Sequence, residues 1–430
     1  MTSGLRALAA LTALGLLGAC GADESASSGF VPVAVSDASV FLDSTGDGLA
    51  REGSGASTDT AEEDTGLSLD LDGVSADMLP TDDALVDGPG SEAWQPPSGW
   101  AEPVEASSDT WTWIDVEGTH CGDGSKTGFA INPHEGATTL FLYLEGGGGC
   151  WDYLTCEGLV QTSFHLNGYD AATFNGLIAE AYKDMWFFDR ESASNPLADA
   201  HYVFIPYCTG DAHAGDAVRE LQGLLPWNNG TFYFKGQSNL VADLAHIVPS
   251  FPDLERVVLS GASAGGFGAG LNWPLVGQAF GPEIRVDLID DSGPPLQPND
   301  GIWADWLETW NVKLPEGCLG CEGDVGAVVD YLRSEMLPQG RMALLSNARD
   351  AIISAFFQLS PFVFEERLYE VLDVLDQEPN AHYFVVDGAG HTMTILGTQG
   401  YESGEGVKLT DWLIDFLADS PELQSVRPQE

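Results

Sequence analysis

The chain has 430 residues, with 66 acidic side chains against 16 basic ones and a formal net charge of −50. That balance excludes a default nucleic-acid binder and a polybasic membrane-surface protein, both of which need clustered Lys and Arg. At 44 % hydrophobic and 10 % aromatic, the chain is too apolar to be wholly disordered. Its length holds one large α/β domain plus additional segments.

The N-terminus carries one positive charge, Arg6, and then an apolar run from Ala7 to Leu17. This is the pattern of a secretion signal, and the run is too short to span a bilayer. Leu17-Gly18-Ala19-Cys20 follows and resembles a bacterial lipobox. Residues 1–20 are therefore expected to be a signal peptide, with Cys20 lipidated and acyl chains as the only membrane attachment. The expected product is an exported, membrane-anchored lipoprotein. Residues 21–95 read as an acidic disordered linker: 17 acids and one base fall between Gly21 and Trp100, and the stretch cannot bury enough apolar surface to offset its ordering entropy. Asp43 to Gly48 looks like the first half of a calcium loop, but the twelfth position is Ser54 rather than a bidentate Glu. No metal is expected. Residues 96–430 form the expected catalytic domain. Residues 101–430 hold 49 acids and 14 bases, about −35, so this part also repels polyanions.

Along that domain, the first strong strand is Thr139 to Glu145, which runs into Gly146-Gly147-Gly148-Gly149. Backbone N–H groups on such a loop can face a developing oxyanion. No G-K-[ST] follows, and the region lacks the positive charge of a phosphate loop. Tyr202 to Pro206 is the next strand and Asn239 to Val248 a helix. Arg256 to Ser260 is a strand that enters Gly261-Ala262-Ser263-Ala264-Gly265. G-x-S-x-G is weak alone in a chain with 51 Gly. Here it joins a strand to a helix predicted over Gly265 to Val276, which is the elbow that exposes a nucleophilic serine above a sheet, with the N–H of Ala264 as one oxyanion donor. Arg285 to Asp290 is a strand, Val325 to Met336 a helix and Met342 to Ser346 a strand. Asp350 follows that last strand, placed to orient a histidine and equally placed to cap the helix predicted over Ala351 to Phe357. Asp387 is a rival for the acid, as are Asp290 and Asp291 after the strand that follows the elbow. Glu365 to Leu375 is a helix, Tyr383 to Val386 a strand, and Leu409 to Ala418 a helix with apolar residues at helical spacing. The hydrolase order is Ser, acid, His, and only His382 and His391 come after Ser263. His391, in the loop beyond a strand, is the expected base. Strand–helix alternation predicts an α/β fold, a mostly parallel sheet with helices on both faces.

Six cysteines lie beyond Cys20, an even number that in an exported chain points to disulfides with fifteen possible connectivities. Cys150 with Cys156 and Cys318 with Cys321 are close in sequence, which leaves Cys121 for Cys208. A zinc site would need a second ligand pair at recognisable spacing. Trp94, Trp100, Trp111 and Trp113 offer either a carbohydrate platform or edge packing.

Taken together, the chain resembles the pectin acetylesterase/Notum family of carboxylesterases. The matching residues are Cys121-Gly122-Asp123-Gly124-Ser125, Leu144-Glu145-Gly146-Gly147, Cys150 with Cys156, and Val203 to Cys208. They continue through Gly261 to Gly266, Asp291-Ser292-Gly293 and Gly390-His391. The resemblance implies an α/β-hydrolase-like fold, no cofactor, Ser263 as nucleophile, Asp350 as acid, His391 as base, and Gly147, Gly148 and Ala264 as the oxyanion hole. Gly148-Gly149 departs from the aromatic residue that many relatives carry after the glycines. Family members act on acetylated pectin or on a long acyl group of a signalling protein. The expected function is thus a monomeric, secreted serine hydrolase acting on acyl, mainly acetyl, esters of a polysaccharide. The alternatives are a longer-chain protein or lipid deacylase and a non-catalytic glycan-binding protein.

Overall fold

Among the described residues, ten strands and seven principal helices follow one another. They are β1 (Thr112–Asp115), β2 (Gly128–Asn132), β3 (Thr139–Leu144), β4 (His201–Ile205), β5 (Ala217–Gln222), β6 (Asn229–Phe234), α1 (Gly236–Ser250), β7 (Arg256–Ala262), α2 (Ala264–Phe280), β8 (Arg285–Asp291), α3 (Ile302–Trp310), α4 (Gly326–Glu335), β9 (Met342–Asn347), α5 (Ala351–Phe356), α6 (Pro361–Leu375), β10 (Ala381–Val386) and α7 (Leu409–Leu417). The computed structural model describes residues 95–157, 162–183, 185–223, 229–395 and 397–428. The expected signal, Cys20, the linker, the Asp43–Gly48 half-loop and Trp94 lie outside the described residues.

One sheet of eight strands, ordered β1-β2-β4-β3-β7-β8-β9-β10, organises the domain. The six strands from β4 to β10 pair in parallel, and β1 and β2 add an antiparallel edge. The central strands are nearly continuous apolar runs: every residue of β9, and every residue of β3 and β7 but the first, is buried. That is the pattern of strands covered on both faces. One apolar cluster, with Leu142, Leu244, Trp273 and Leu372, fills one side. A second, with Phe141, Phe204, Phe384, Trp412 and Phe416, fills the other. Alternate residues of a strand supply opposite clusters, as Phe141 and Leu142 do. This is an α/β-hydrolase-like architecture. β5 and β6 form a separate antiparallel hairpin.

Disulfides join Cys121–Cys208, Cys150–Cys156 and Cys318–Cys321. The first ties the chain before β2 to the end of β4, and the second closes the loop after β3. Trp111 and Trp113 are packing residues: Trp111 meets Phe174 edge-on at 5.5 Å and Trp113 stacks on Tyr169 at 5.8 Å. All parallel strands end on one side of the sheet, and there the candidate residues gather.

Candidate active site

β7 ends at Ala262 and α2 begins at Ala264, so Ser263 alone makes the turn. Its φ of 59° and ψ of −123° lie where a residue with a Cβ is strained, at a cost of the order of 1–3 kcal/mol. The elbow sits hard against the end of β3. A Cβ on Gly261 would lie 2.2 Å from the Gly265 carbonyl oxygen, and one on Gly265 would lie 2.1 Å from that of Leu144. The Ser263 N–H donates to the Asp291 carbonyl at 2.7 Å, which locks the turn to β8.

Asp350 ends the β9 segment and starts α5. Its two oxygens have different duties. Oδ1 accepts from the N–H groups of Ile352 (2.9 Å) and Ile353 (3.0 Å), which caps the helix. Oδ2 meets His391 Nδ1 at 2.8 Å. The two roles that compete for Asp350 in the sequence are thus filled at once. A carboxylate only accepts, so Nδ1 carries the proton and Nε2 keeps its lone pair for a hydroxyl proton. Among the described residues no hydrogen bond joins Ser263 Oγ to the imidazole; such bonds often tighten only in the substrate complex. The rival acids are engaged elsewhere. Asp387 pairs with Arg349. Asp290 accepts the Gly293 N–H, and burial pushes its pKa up to about 8. The Asp291 carboxylate holds the backbone of Met393 and Thr394. His382 lies at the opposite end of β10 and contacts Arg341 at 2.9 Å. Burial first, and then that guanidinium, lower its pKa to about 4.

The glycine loop is fixed by its own carbonyls. Gly147 O accepts the Phe164 N–H at 3.0 Å. A trans peptide points its N–H opposite to its C=O, so the Gly148 N–H faces away from Phe164. Gly148 O accepts the Tyr207 hydroxyl at 2.8 Å, and that hydroxyl accepts the Ala212 N–H at 2.7 Å. Gly148 has φ +83°, and a Cβ there would lie 2.0 Å from the Thr162 carbonyl oxygen. Gly148, Gly149, Ser263 and Ala264 line one small cavity of about 40 Å³, whose remaining walls are mainly aromatic: Trp151, Phe267, Trp306, Trp310, Phe356 and Phe357. The N–H groups of Gly148 and Ala264 donate to no other described backbone carbonyl. Gly147 is not on this cavity; it packs against Tyr207 and Phe164. Behind the loop, buried Glu145 accepts the Tyr207 N–H at 3.0 Å, and its carbonyl accepts from His213 Nε2 at 2.8 Å. Burial raises the Glu145 pKa to about 8 and lowers that of His213 to about 4.

A strained serine at a strand–helix elbow, a histidine held by a buried aspartate and a glycine loop on a shared cavity invite comparison with known proteins. Residues 108–308 match the family model described as pectinacetylesterase. Relatives include the palmitoleoyl-protein carboxylesterase notum2 of Xenopus laevis, 23 % identical over 222 residues, covering 46 % of this chain and 42 % of that protein. The palmitoleoyl-protein carboxylesterase NOTUM of Schmidtea mediterranea is 29 % identical over 230 residues, covering 47 % and 40 %. The crystal structure of the Wnt deacylase Notum from Drosophila superimposes with a TM-score of 0.51 at 19 % identity, covering 74 % of this chain and 95 % of that one. Residues 108–308 therefore carry a match to the pectinacetylesterase domain, and the chain is similar to the pectin acetylesterase/Notum proteins. It spans less than half the length of the curated relatives it matches. The family-model match contains the glycine loop and the elbow, whereas Asp350 and His391 lie beyond it.

The sequence reading missed α3. Trp303, Trp306, Leu307 and Trp310 repeat at helical spacing, which was the available signal. Trp306 and Trp310, stacked at 5.0 Å, build the cavity wall, and Trp310 Nε1 donates to Cys150 O at 2.7 Å. The closed disulfide loop and the aromatic wall are therefore joined.

Proposed function

We propose that the protein is an exported serine carboxylic ester hydrolase that removes short acyl groups, acetyl above all, from a polysaccharide such as pectin. The observation that carries this is the Asp350–His391 bond, delivered to the same end of the sheet as the strained Ser263. In this reading Ser263 Oγ attacks the ester carbonyl while His391 Nε2 takes its proton. The oxyanion forms toward the N–H groups of Gly148 and Ala264. The tetrahedral adduct collapses, and the sugar hydroxyl leaves with the proton from His391. Water then repeats the sequence on the acyl-enzyme and regenerates Ser263.

The cavity supports a short acyl group. About 40 Å³ corresponds to roughly two or three water-sized spheres, which suits a methyl group and its carbonyl rather than a palmitoleoyl chain. The apolar walls keep the longer-acyl reading as the alternative. Export and lipidation at Cys20 are part of the proposal. The three disulfides support an oxidising compartment, and among the described residues no helix is long and apolar enough to cross a membrane.

The test is hydrolysis of p-nitrophenyl esters from C2 to C16 by the protein and its Ser263→Ala variant. Turnover confined to C2–C4 and lost in the variant is the expected result. A preference for C8 or longer selects the deacylase. Turnover that survives Ser263→Ala removes Ser263 as the nucleophile, and none at any length turns the assignment toward glycan binding.

A further inference from the structure

The loop that carries His391 is held by a group outside the expected triad. Three consecutive amides follow the histidine, and all three donate to the end of β8. The Thr392 N–H donates to Ser292 Oγ at 3.1 Å, and that hydroxyl donates to Asp291 Oδ1 at 3.0 Å. The Met393 N–H reaches both Asp291 oxygens, at 3.0 and 2.9 Å. The Thr394 N–H and hydroxyl reach Asp291 Oδ2 at 2.7 and 2.6 Å. The carboxylate is fully buried, and its main-chain carbonyl accepts the Ser263 N–H at 2.7 Å. One residue therefore grips the nucleophile turn with its backbone and the base loop with its side chain. Thr392 in this loop has a positive φ of 60°, as does Ser292 just after β8 at 61°, a conformation that neither residue type favours. The clamp supplies the contacts that hold it.

We infer that Asp291, assisted by Ser292, is the positioning residue that registers His391 against Ser263. This rests on the esterase reading of those two residues. Asparagine cannot replace the carboxylate: each oxygen faces at least two donors, so an amide NH₂ in either place meets N–H or O–H groups head-on. A displacement of about 1 Å in the base costs on the order of 10²-fold in rate.

The test combines kinetics with a proton signal from the imidazole. Asp291→Asn is expected to lower kcat for a short-chain ester about 10²-fold with KM little changed, since Asp291 does not line the acyl cavity. Ser292→Ala, which frees only Thr392, should lose about tenfold. The charged and titratable groups around His391 are Asp350 on Nδ1, Asp291 and Asp290 from β8, the Arg349–Asp387 pair, and Tyr401, whose hydroxyl donates to Thr392 O. A loosened Asp350 bond destabilises the imidazolium, so the acid limb of the kcat/KM profile should move to lower pH. A merely structural defect scales the whole profile without moving it. The low-field Nδ1 proton resonance, assigned with a His391 variant, should shift or broaden in Asp291→Asn and reads the clamp even if the wild type turns over no ester. A folded Asp291→Asn protein with wild-type resonance, profile and kcat overturns the inference. So does a folded Ser292→Ala protein that loses nothing, when Asp291→Asn does not fold.

Discussion

Individual side chains here do two jobs, and the second was hidden in the sequence. Asp350 could be read as acid or helix cap, and its two oxygens divide the roles. The placement of Ser263 at an elbow and of His391 in a loop beyond a strand was legible because a strained elbow needs flanking glycines and because few histidines follow it. The Asp291 clamp was not legible, since three donors from a loop about a hundred residues away converge on it. Buried Glu145 and His213 make a residue-scale prediction. Glu145 is raised to about 8, so its contribution is full below pH 4.5 and is lost as pH rises toward 8. His213 is lowered to about 4, so its contribution is full above pH 6.5 and is lost as pH falls toward 4. Between about pH 4.5 and 6.5 the two slopes oppose each other; from 6.5 to 8 Glu145 acts without that opposition. Thermal unfolding followed from pH 4 to 8 should show stability falling above pH 6.5, by up to about 1.4 kcal/mol per pH unit from this one group. Glu145→Gln should lessen that fall without abolishing it, because buried Asp290, also raised to about 8, loses stability over the same range. An identical slope in the variant would show that Glu145 does not hold its proton in the fold.

At the level of elements, each of the six strands expected for the sheet became β3, β4 or one of β7 to β10. They were readable because short apolar runs between turn signals have one stable use in an α/β sheet. β5 and β6 escaped because only Ala217 and Leu221 of β5 are buried, with apolar Val218 exposed, and its ladder forms only with β6. α3 escaped because its ends carry no capping side chain: Gly301 and Asn311, both left-handed, bound it. That helix and α5 set the size of the cavity beside Ser263. Phe356, the last residue of α5, lies 3.2 Å from where a Gly148 Cβ would be and lines the cavity. Phe356→Ala should enlarge the cavity and move the ester preference from C2 toward C6–C8. Each extra buried methylene is worth about 0.8 kcal/mol, roughly fourfold in kcat/KM. Chain-length profiles of the two proteins decide it, and an unchanged profile would place the acyl group elsewhere.

The molecule as a whole is an acid body with its cations already spent. Of the 14 Lys and Arg in residues 101–430, all but Lys408 meet a carboxylate or a backbone carbonyl among the described residues, as Arg256 and Arg285 do on Asp287 and Arg367 does on the carbonyls of Gln297 and Pro298. Arg349, near the His391 loop, is held by Asp387 and Glu365. A polysaccharide with free uronate groups would approach a surface near −35 on which Arg219, Arg367 and Lys408 are the described cations without a carboxylate partner. The repulsion reaches about 30 Å at 0.01 M salt and about 10 Å at 0.1 M. Deacetylation of a polymer with free carboxylates should therefore rise several-fold in kcat/KM between 10 and 300 mM NaCl. The same polymer fully methyl-esterified, or a neutral acetylated xylan, should respond little. Acetate release measured on the three polymers across that range separates charge from glycan identity. Equal rates on the charged and neutral polymers at 10 mM would mean that the acidic surface lies away from the path the glycan takes to Ser263. A response confined to the charged polymer would favour an esterified or neutral carrier as the natural one, because the net charge of the surface repels free uronates.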